Sequence, residues 1–326
     1  MSDFPLDWAY AYGAPDAEGL FRSCPEDFYV DENLGFEPDG SGEHVLLHVQ
    51  KRGDNTAWLA KQIARLAGVK PSDVGYCGLK DRHAVTRQWF SIYLPKGEEP
   101  DWSQLNQEGT EVLAVSRHAR KLRPGSHQSN RFRITLRQLQ GDIEALTQRL
   151  SRVAEDGVPN YFGEQRFGIE GNNLTLAQEI LVDGRKIGNR QRRGMVLSAA
   201  RSYVFNSVLS ERVNQGNWFT PIAGDVLIDD LPTGPMWGRG RSPAADESLA
   251  VEQSALADLG GWCDGMEHVG LSQERRQLCL KPRHMAWKLR DDALVVEFEL
   301  PPGSYATAVL RELCKLQNVS QPQGVV

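Results

Sequence analysis

The sequence predicts an α+β protein with two domains. Its 326 residues correspond to about two domains at roughly 150 residues each. The first half mixes strand-like and helix-like segments, the middle is mostly helical, and one strand and one helix return at the end. Because a single strand and helix make a poor domain, we expect them to complete the first sheet. The predicted first domain is therefore residues 1–156 plus 286–326, with residues 157–285 inserted as a mainly helical α/β domain.

The first half supplies three predicted strands and two predicted helices. The strands combine alternating polarity with β-branched and aromatic residues: His44–Arg52, Gln88–Leu94 and Arg131–Arg137. The helices are amphipathic and end near a glycine: Asn55–Gly68 and Asp142–Asp156. Asn55 or Thr56 can cap the first of them by accepting N–H groups of its first turn.

The middle and the tail are predicted from periodicity and from turn residues. Three segments predict helices: Met195–Val213, a stretch around Asp246–Leu259, and Ser304–Leu316. The Gly- and Pro-rich stretch Leu231–Pro243 predicts a loop. Leu294–Leu300 predicts a strand by its Val and Phe content.

Composition excludes several classes of protein. Hydrophobic residues make up 40% and charged residues 25% of the chain, which is typical of a globular protein. No stretch approaches the roughly 18 apolar residues of a membrane span, and the start lacks the pattern of a signal peptide. The five cysteines are scattered without a C-x-x-C pair, so neither a disulfide framework nor a zinc knuckle is indicated. We therefore expect a cytoplasmic protein without membrane contact.

Two basic runs contrast with the net charge of −6, which comes from 37 Lys and Arg against 43 Asp and Glu. Neither run contains an acidic residue. The first holds Arg117, Arg120, Lys121, Arg123, Arg131, Arg133 and Arg137, and the second holds Arg185, Lys186, Arg190, Arg192, Arg193 and Arg201. Each run alone fits a solvated surface. Together they favour a cationic groove for a polyanion, with the polar face of Arg131–Arg137 as the best candidate for phosphate contacts.

The segment Gly75–Phe90 places the carboxylate of Asp81 between Lys80 and Arg82, just before a predicted strand. On spacing alone, Asp81 is a solvated turn residue. His83 has no partner at metal-ligand spacing, so we predict no metal site. The chain also lacks a phosphate-binding G-x-x-x-x-G-K-[ST] loop, a strand-bound G-x-G-x-x-G and a G-x-S-x-G elbow.

At these residues the sequence resembles the TruD family of tRNA pseudouridine synthases. The matching motifs follow the family order along nearly the whole chain, and as an ordered set they are highly specific. They are Phe21–Phe28, Gly78–Thr86, Arg117–Arg123, Asn130-x-Phe132, Gly157–Gly168, Leu197–Arg201, Pro302–Thr307 and Arg311–Leu313. The match is loose between Trp218 and Met285, so no functional residue is carried over there.

The resemblance implies a mixed-sheet pseudouridine synthase catalytic domain, with the inserted TRUD domain forming a cleft against it. It implies that Asp81 is the catalytic residue and that the target is uridine 13 of tRNA. The residues implied to support the site are Arg22, Lys80, Asn130, Phe132 and Tyr305. The family often has Lys in place of Arg22 and Phe in place of Tyr305.

Together with the basic runs, the resemblance predicts a set of tRNA-binding residues. They are Arg117, Arg120, Lys121, Arg123, Arg131, Arg133, Arg166, Arg192 and Arg193. We expect a monomer that needs no cofactor and no metal, because the reaction is an isomerisation.

The chemistry leaves two routes open. An aspartate carboxylate is ordinarily ionised at neutral pH, so it can attack C1′ directly or abstract a proton at C2′ on the way to a glycal. The target base must first leave its stack, and aromatic side chains such as Phe132 and Tyr305 can stack on it. Phe132 also lies on an apolar strand face, which fits a core residue equally well.

Two alternatives remain. The protein acts on an RNA other than tRNA, or it is a non-catalytic RNA-binding or chaperone protein that retains the fold. Binding alone would not need the Lys80-Asp81 and Asn130-x-Phe132 motifs. A glycoside hydrolase would need a second catalytic carboxylate, and the sequence indicates none.

Overall fold

The computed structural model describes residues 4–95 and 99–320. Its strands are β1 Glu18–Phe21, β2 Phe28–Asn33, β3 His44–Arg52, β4 Val74–Tyr76, β5 Val85–Tyr93, β6 Thr110–His118, β7 Ser129–Gln140, β8 Val158–Pro159, β9 Leu227–Ile228, β10 Leu231–Met236, β11 Glu274–Gln277, β12 Cys279–Leu280, β13 Arg283–Arg290, β14 Ala293–Leu300 and β15 Lys315–Asn318. The helices are α1 Thr56–Leu66, α2 Ile143–Asp156, α3 Asn172–Leu181, α4 Arg190–Asn214, α5 Asp246–Ala255, α6 Gly260–His268 and α7 Ala306–Leu313.

The chain divides into two compact units. One, here called the sheet unit, comprises Asp16–Glu144, Pro282–Gly303 and Cys314–Val326. The other, the helical unit, comprises Met1–Pro15, Ala145–Lys281 and Ser304–Leu313. Within the described residues, no helix combines the length and the apolar character that crossing a bilayer requires.

The sheet unit is built on one mixed, ten-stranded sheet. Its main order is β13-β14-β7-β2-β5-β3-β6, with β4 paired to β5, and β1 paired to β7 and β15. The pairs β2–β5 and β1–β15 are parallel, whereas the other pairs are antiparallel. Because side chains alternate along a strand, the sheet has an inner face that carries Val30 and Phe132 and an outer face that carries Tyr29 and Arg133. Helix α1 packs on the inner face against Val45, Leu47 and Val49.

The helical unit packs around helix α4. Its core contains apolar residues of α3, α4 and α6, including Val204 and Phe205, which are fully buried. A three-stranded sheet β11-β10-β9 and the pair β12–β8 complete the unit.

Four predicted elements agree closely with the structure because local chemistry defines them. Strand β3 has the predicted bounds, and β14 and α2 begin within one residue of theirs. In α1, the Asn55 carboxamide oxygen accepts N–H groups of Ala57 at 2.8 Å and Trp58 at 3.4 Å, as an N-cap does. Gly68 follows with φ of +66°, a conformation that favours glycine. The tail strand β14 pairs with β7, so it completes the first sheet as expected.

The prediction of a loop over Leu231–Pro243 is wrong for its first half. Leu231–Met236 forms β10, the central strand of its sheet, and Thr233 to Pro235 pair with β11. Pro232–Pro235 is buried, so tertiary packing outweighs the low strand propensity of Pro and Gly.

The predicted helix Ser304–Leu316 is too long at both ends. Helix α7 covers Ala306–Leu313, and the chain then enters β15, whose Lys315 pairs with Glu18 of β1. A free sheet edge competes for these residues, which helical periodicity does not reveal. Strands β5 and β7 are in turn longer than predicted, starting at Val85 and Ser129.

The compact units differ from the predicted domains at residues 1–15, 145–156 and 304–313, which belong to the helical unit, and at residues 282–285, which belong to the sheet unit. The Trp8 ring packs against Tyr203 at 5.1 Å, and Arg311 of α7 donates to the carbonyls of Trp8 and Ala9. These contacts tie the amino-terminal segment to α7 inside one core. The domain boundaries themselves stay a prediction.

Gly234→Ala should destabilise the helical unit. A Cβ on Gly234 would lie 2.8 Å from Leu278 Cδ2 and 3.1 Å from the Phe205 ring, both fully buried. We expect a loss of about 1–3 kcal/mol, measured by urea unfolding followed by tryptophan fluorescence. Gly260→Ala is the matched control, because a Cβ there meets nothing within 4 Å. Equal unfolding midpoints for the two variants would contradict the close packing of β10 on α4.

Candidate active site

Asp81 lies in the loop between β4 and β5, and hydrogen bonds hold this loop on the inner face of the sheet. The Lys80 backbone N–H donates to Thr56 Oγ1 at 3.0 Å. The Thr56 hydroxyl donates to Gln88 Oε1 at 2.9 Å, and Gln88 Nε2 donates to the Gly78 carbonyl at 2.9 Å. The start of α1 and the strand β5 therefore position the loop together.

A buried lysine fixes the backbone of Asp81 itself. Lys51 Nζ donates to the Asp81 carbonyl at 3.1 Å and to the Asp54 carbonyl at 2.7 Å. Burial lowers the pKa of Lys51 to about 8, although the charges of Asp81 and Asp54 oppose the shift. Lys51 thus places positive charge beside the loop while holding its main chain.

Arg22 and Asp81 form an ion pair in which the arginine is buried and the aspartate is partly exposed to solvent. Arg22 Nη2 lies 2.9 Å from Asp81 Oδ2, and the arginine side chain is 6% exposed whereas the aspartate is 37% exposed. The guanidinium carbon lies over the Phe28 ring at 4.5 Å and the Phe21 ring at 4.9 Å. The cation therefore packs against both rings inside the protein, and the carboxylate reaches solvent.

The backbone of Arg22 adopts a strained conformation. Its φ is +62°, in the left-handed region that a non-glycine residue enters at a cost of about 1–3 kcal/mol. The His83 ring lies 3.2 Å from the Arg22 carbonyl and donates its Nε2–H to it. His83 thus ties the turn after β1 to the Asp81 loop.

Lys80 points into the sheet unit and pairs with Glu32 of β2. Both side chains are buried. The second carboxylate oxygen of Glu32 accepts the Trp89 backbone N–H at 3.0 Å. The ammonium of Lys80 is thereby committed to Glu32, so Lys80 anchors the loop rather than facing solvent.

Asn130 lies near the start of β7, in register with Glu32 on one side and Leu300 on the other. Its Nδ2 donates to His127 Nε2 at 2.9 Å. Strand pairing thus brings Asn130 next to the residue that anchors Lys80.

Phe132 is 7% exposed and belongs to a cluster of rings on the inner face. It stacks on Phe298 at 5.5 Å and meets Phe28 edge to face at 6.0 Å. Phe28 in turn carries the Arg22 guanidinium. Phe132 is thus a core residue, and one ring separates it from the Arg22–Asp81 pair.

Four predicted site residues lie in the helical unit, namely Tyr305, Arg166, Arg192 and Arg193, whereas the others lie in the sheet unit. Arg166 donates to the Tyr305 hydroxyl and to Ser198 Oγ, the latter at 3.3 Å. The Arg276 guanidinium lies 4.3 Å from the centre of the Phe162 ring. Burial, with a smaller contribution from the charge of Arg166, lowers the pKa of Arg276 to about 10.

The first basic run is partly neutralised within the protein. Arg117 pairs with Glu99, and Arg131 pairs with Glu297 at 2.9 Å. Lys121 donates to the Ser72 carbonyl. Arg133 lies over the Tyr29 ring at 4.9 Å, on the outer face with Arg131 and opposite Phe132.

Arg120 and Arg123, from the same run, are exposed. No ion pair engages them in the part of the chain that the structure describes. These two side chains therefore keep their charges available.

Three arginines of the second basic run, Arg190, Arg192 and Arg193, lie at the start of helix α4. The Asn189 carboxamide accepts the Arg192 N–H at 3.0 Å as an N-cap. Arg192 is exposed and Arg193 is half-buried, and the first turn contains no acidic residue. Cations at a helix amino terminus oppose the helix dipole, so these arginines gain nothing from their own helix.

Sequence reasoning missed three residues that position this site: Glu32, Lys51 and His127. Glu32 had a usable signal, because it continues the inward alternation of Phe28 and Val30 and so puts a carboxylate at a core position. His127 gave no such signal in the sequence, because it lies in a loop, where no alternation of buried and exposed residues is expected.

One group of side chains in the described residues has donor atoms as close as metal ligands: Glu32, Cys77 and His127 lie within 4.8 Å of one another. The Glu32 carboxylate already accepts hydrogen bonds from Lys80 and from the Trp89 N–H. A cation would have to displace a buried lysine, so the group is better explained as a polar network beneath the Asp81 loop.

A family model described as tRNA pseudouridine synthase D (TruD) matches residues 8–187 and 230–313. The chain belongs to the TruD family. A Cellvibrio japonicus protein described as tRNA pseudouridine synthase D is 53% identical over 323 residues, covering 98% of this chain and 96% of that protein. A Nitrosococcus oceani protein of the same description is 46% identical over 342 residues, covering 96% of each. The family resemblance of the sequence motifs is confirmed.

A solved structure from Methanosarcina mazei, also described as a tRNA pseudouridine synthase D (TruD), shares the fold. Its TM-score is 0.70 at 20% identity, and the match covers 96% of this chain and 98% of that one. The predicted α+β class with the mixed sheet of a pseudouridine synthase is therefore confirmed. The roles of individual residues stay predictions.

Removing either partner of the buried Glu32–Lys80 pair should be strongly destabilising. Glu32→Gln leaves a buried ammonium without its counter-charge, and Lys80→Met leaves a buried carboxylate, each at a cost of about 3–5 kcal/mol. The double variant should lose less than the sum, because neither charge then remains unpaired. Urea unfolding of the four proteins measures this coupling.

Glu26→Gln is the matched control, since Glu26 and its partner Arg52 are exposed. We expect a loss below about 1 kcal/mol there. Additive losses in the Glu32 and Lys80 variants would contradict a buried, mutually dependent pair.

Proposed function

We propose that this protein converts uridine to pseudouridine in tRNA, at position 13, with Asp81 as the reacting carboxylate. Membership of the TruD family and full-length relatives described as tRNA pseudouridine synthase D support the reaction. The observation that carries the assignment to Asp81 is its ion pair with Arg22, in which the cation is buried and the carboxylate is open to solvent.

The proposed reaction is an isomerisation and balances without a co-reactant. The C1′–N1 bond breaks, the uracil turns while it stays bound, and C5 bonds to C1′. C5 then loses its proton and N1 ends protonated. In one route Asp81 attacks C1′ and forms an ester, and C5 later bonds to C1′ and displaces the carboxylate. In the other route Asp81 takes the C2′ proton to give a glycal and returns that proton afterwards. The Arg22–Asp81 geometry serves both routes, because both need an ionised, aimed carboxylate.

Arg22 is proposed to hold the Asp81 carboxylate ionised and in one orientation. A guanidinium at 2.9 Å stabilises the negative charge, and its own position is fixed by the Phe21 and Phe28 rings. Because Arg22 approaches from the buried side, the solvent-facing side of Asp81 stays free for the ribose.

Three further residues are proposed to receive the unstacked base. Unstacking costs a few kcal/mol, and ring contacts return roughly 1–3 kcal/mol per base. Phe132, buried beside Phe28, would form the floor of this pocket, and the Asn130 amide would offer hydrogen bonds to the base edge. Tyr305 is proposed for the same task on the family resemblance alone.

The tRNA backbone is proposed to contact the basic residues predicted from sequence. The observations that support this differ among them. Arg192, Arg193, Arg120 and Arg123 have no carboxylate partner among the described residues, whereas Arg117 and Arg131 have one. We therefore expect the first four to dominate phosphate binding.

A monomer in the cytoplasm is part of the same proposal. All five cysteines are thiols, and four of them are buried, which suits a reducing compartment.

Asp81→Asn should abolish pseudouridine formation while tRNA still binds. An amide keeps the shape of the carboxylate but can neither trap C1′ nor accept the C2′ proton at neutral pH. Turnover is measured as tritium released from tRNA labelled at uridine C5, with chemical mapping of pseudouridine at position 13. Filter binding on the same preparation should show equal or slightly higher affinity, since one negative charge is gone.

Asp31→Asn is the matched control, because Asp31 is also a partly exposed aspartate near an arginine but lies on the outer face. It should keep wild-type turnover. Near-normal turnover in Asp81→Asn would show that Asp81 is a turn residue without a catalytic role. A wild-type protein that binds tRNA but releases no tritium would instead be a binder, and pseudouridine at another position would redirect the target.

Arg192→Gln together with Arg193→Gln should flatten the salt dependence of tRNA binding. For every phosphate that the protein no longer neutralises, the slope of log K against log salt should fall by about one. The paired variant Arg131→Gln with Arg133→Gln should change the slope less, because Glu297 already neutralises Arg131. Filter binding at several salt concentrations measures both. If the Arg131 and Arg133 variant instead changed the slope more, the tRNA-binding surface would have to lie on the outer face of the sheet.

A further inference from the structure

His127 is buried directly beneath the candidate site, in the loop between β6 and β7. The residue is buried, at 7% exposure. Backbone bonds hold the loop on both sides of it. Gly125 N–H donates to the Cys77 carbonyl at 2.7 Å, and Gln128 N–H donates to the Asn33 carbonyl at 2.9 Å. The histidine is thus rigidly placed against the segment that leads into Lys80 and Asp81.

The hydrogen bond between His127 and Asn130 has a defined direction. Asn130 Nδ2 lies 2.9 Å from His127 Nε2, and an amide nitrogen can only donate, so Nε2 accepts. The neutral ring then carries its hydrogen on Nδ1, which is buried and has no partner among the described residues. The other amide atom, Asn130 Oδ1, is buried and accepts no hydrogen bond from the described residues. Buried polar atoms are rarely left unpaired, and such an atom at a functional site points to a missing partner.

We propose that His127 is a positioning residue: as a neutral acceptor it fixes the Asn130 amide so that Oδ1 is left to accept a hydrogen bond from an N–H donor of the RNA. This rests on the proposed function. A uracil edge carries such a donor at N3, whereas cytosine has an acceptor there. An amide turned the other way would present Nδ2 and oppose the uracil N3–H.

Protonation of His127 would reverse this arrangement. An imidazolium has two donors and no acceptor, so Asn130 would have to turn its oxygen to the ring. The charged and titratable groups that face the ring are Glu32 of β2 with its partner Lys80, and the Cys77 thiol. Burial lowers the pKa of His127 and Lys80 lowers it further, against the effect of Glu32. The neutral form is therefore kept at physiological pH.

Two substitutions separate the acceptor from the bulk of the ring. His127→Gln keeps an oxygen acceptor near the position of Nε2 but does not titrate, whereas His127→Phe keeps the ring size and removes the acceptor. At pH 7.5 we expect His127→Phe to lower kcat roughly tenfold to a hundredfold with KM for tRNA changed less than about twofold. His127→Gln should recover at least about tenfold of that loss.

The pH dependence of kcat distinguishes a positioning role from a merely structural one, because a structural role alone would not shift it. Wild-type kcat should fall on acidification as His127 takes its proton, and in His127→Gln this acid limb should shift down by about one pH unit or more. His44→Gln is the matched control. Burial also lowers the pKa of His44, and its ring packs beside Tyr93 at 5.2 Å between ring centres. It should keep the wild-type limb.

Thermal unfolding of every variant accompanies the kinetics, and His127→Gln keeps the test decisive if His127→Phe does not fold. An acid limb in His127→Gln identical to the wild-type limb would overturn the proposal. Wild-type kcat in a folded His127→Phe would overturn it as well. A wild-type protein without turnover at any pH would refute the proposed function, and this inference with it.

Discussion

The buried ion pair between Glu32 and Lys80 is the constraint on which the candidate site depends. It joins a strand and a loop that are 48 residues apart in sequence. Two charges taken out of water must stay paired, so the loop has little freedom to move away from β2. Because Lys80 is drawn inwards, the next residue, Asp81, keeps its carboxylate at the solvent side. One buried charge thus orients its neighbour outwards.

The approach of Arg22 shows how the fold concentrates charge at one point. The residue occupies a left-handed backbone conformation, and its guanidinium packs against two phenylalanine rings. The strain costs about 1–3 kcal/mol, and ring contacts with a cation together with the ion pair offset it. A guanidinium held in this way is already oriented towards the Asp81 carboxylate, so it stabilises that negative charge without reorganisation.

The side chains of strand β7 project from both faces of the sheet, so residues that are adjacent in sequence lie on opposite faces. Phe132 joins the rings of the inner face, whereas Arg131 and Arg133 project from the outer face. Side chains alternate along every strand, so a run of arginines on β7 cannot share the inner face with Phe132. Counting basic residues in the sequence therefore overestimates the positive charge that is free to bind RNA, because Glu297 on the next strand neutralises Arg131.

Sequence alone determined the elements whose causes are local. The cap at Asn55, the apolar periodicity of α2 and the alternation of β3 and β14 need only neighbouring residues, and the structure has all four. Ordered motifs likewise identified the family, because such a set does not arise by chance.

Tertiary structure decided the features that join distant residues. β10 is a strand because its buried backbone packs against α4, although its prolines and glycine disfavour strands. The residues after α7 enter β15 because an unpaired edge of β1 is there to receive them. Lys80 anchors rather than faces solvent because Glu32 lies beneath it. In each case the deciding partner is far away in the chain, and local patterns carry no information about which distant groups will meet.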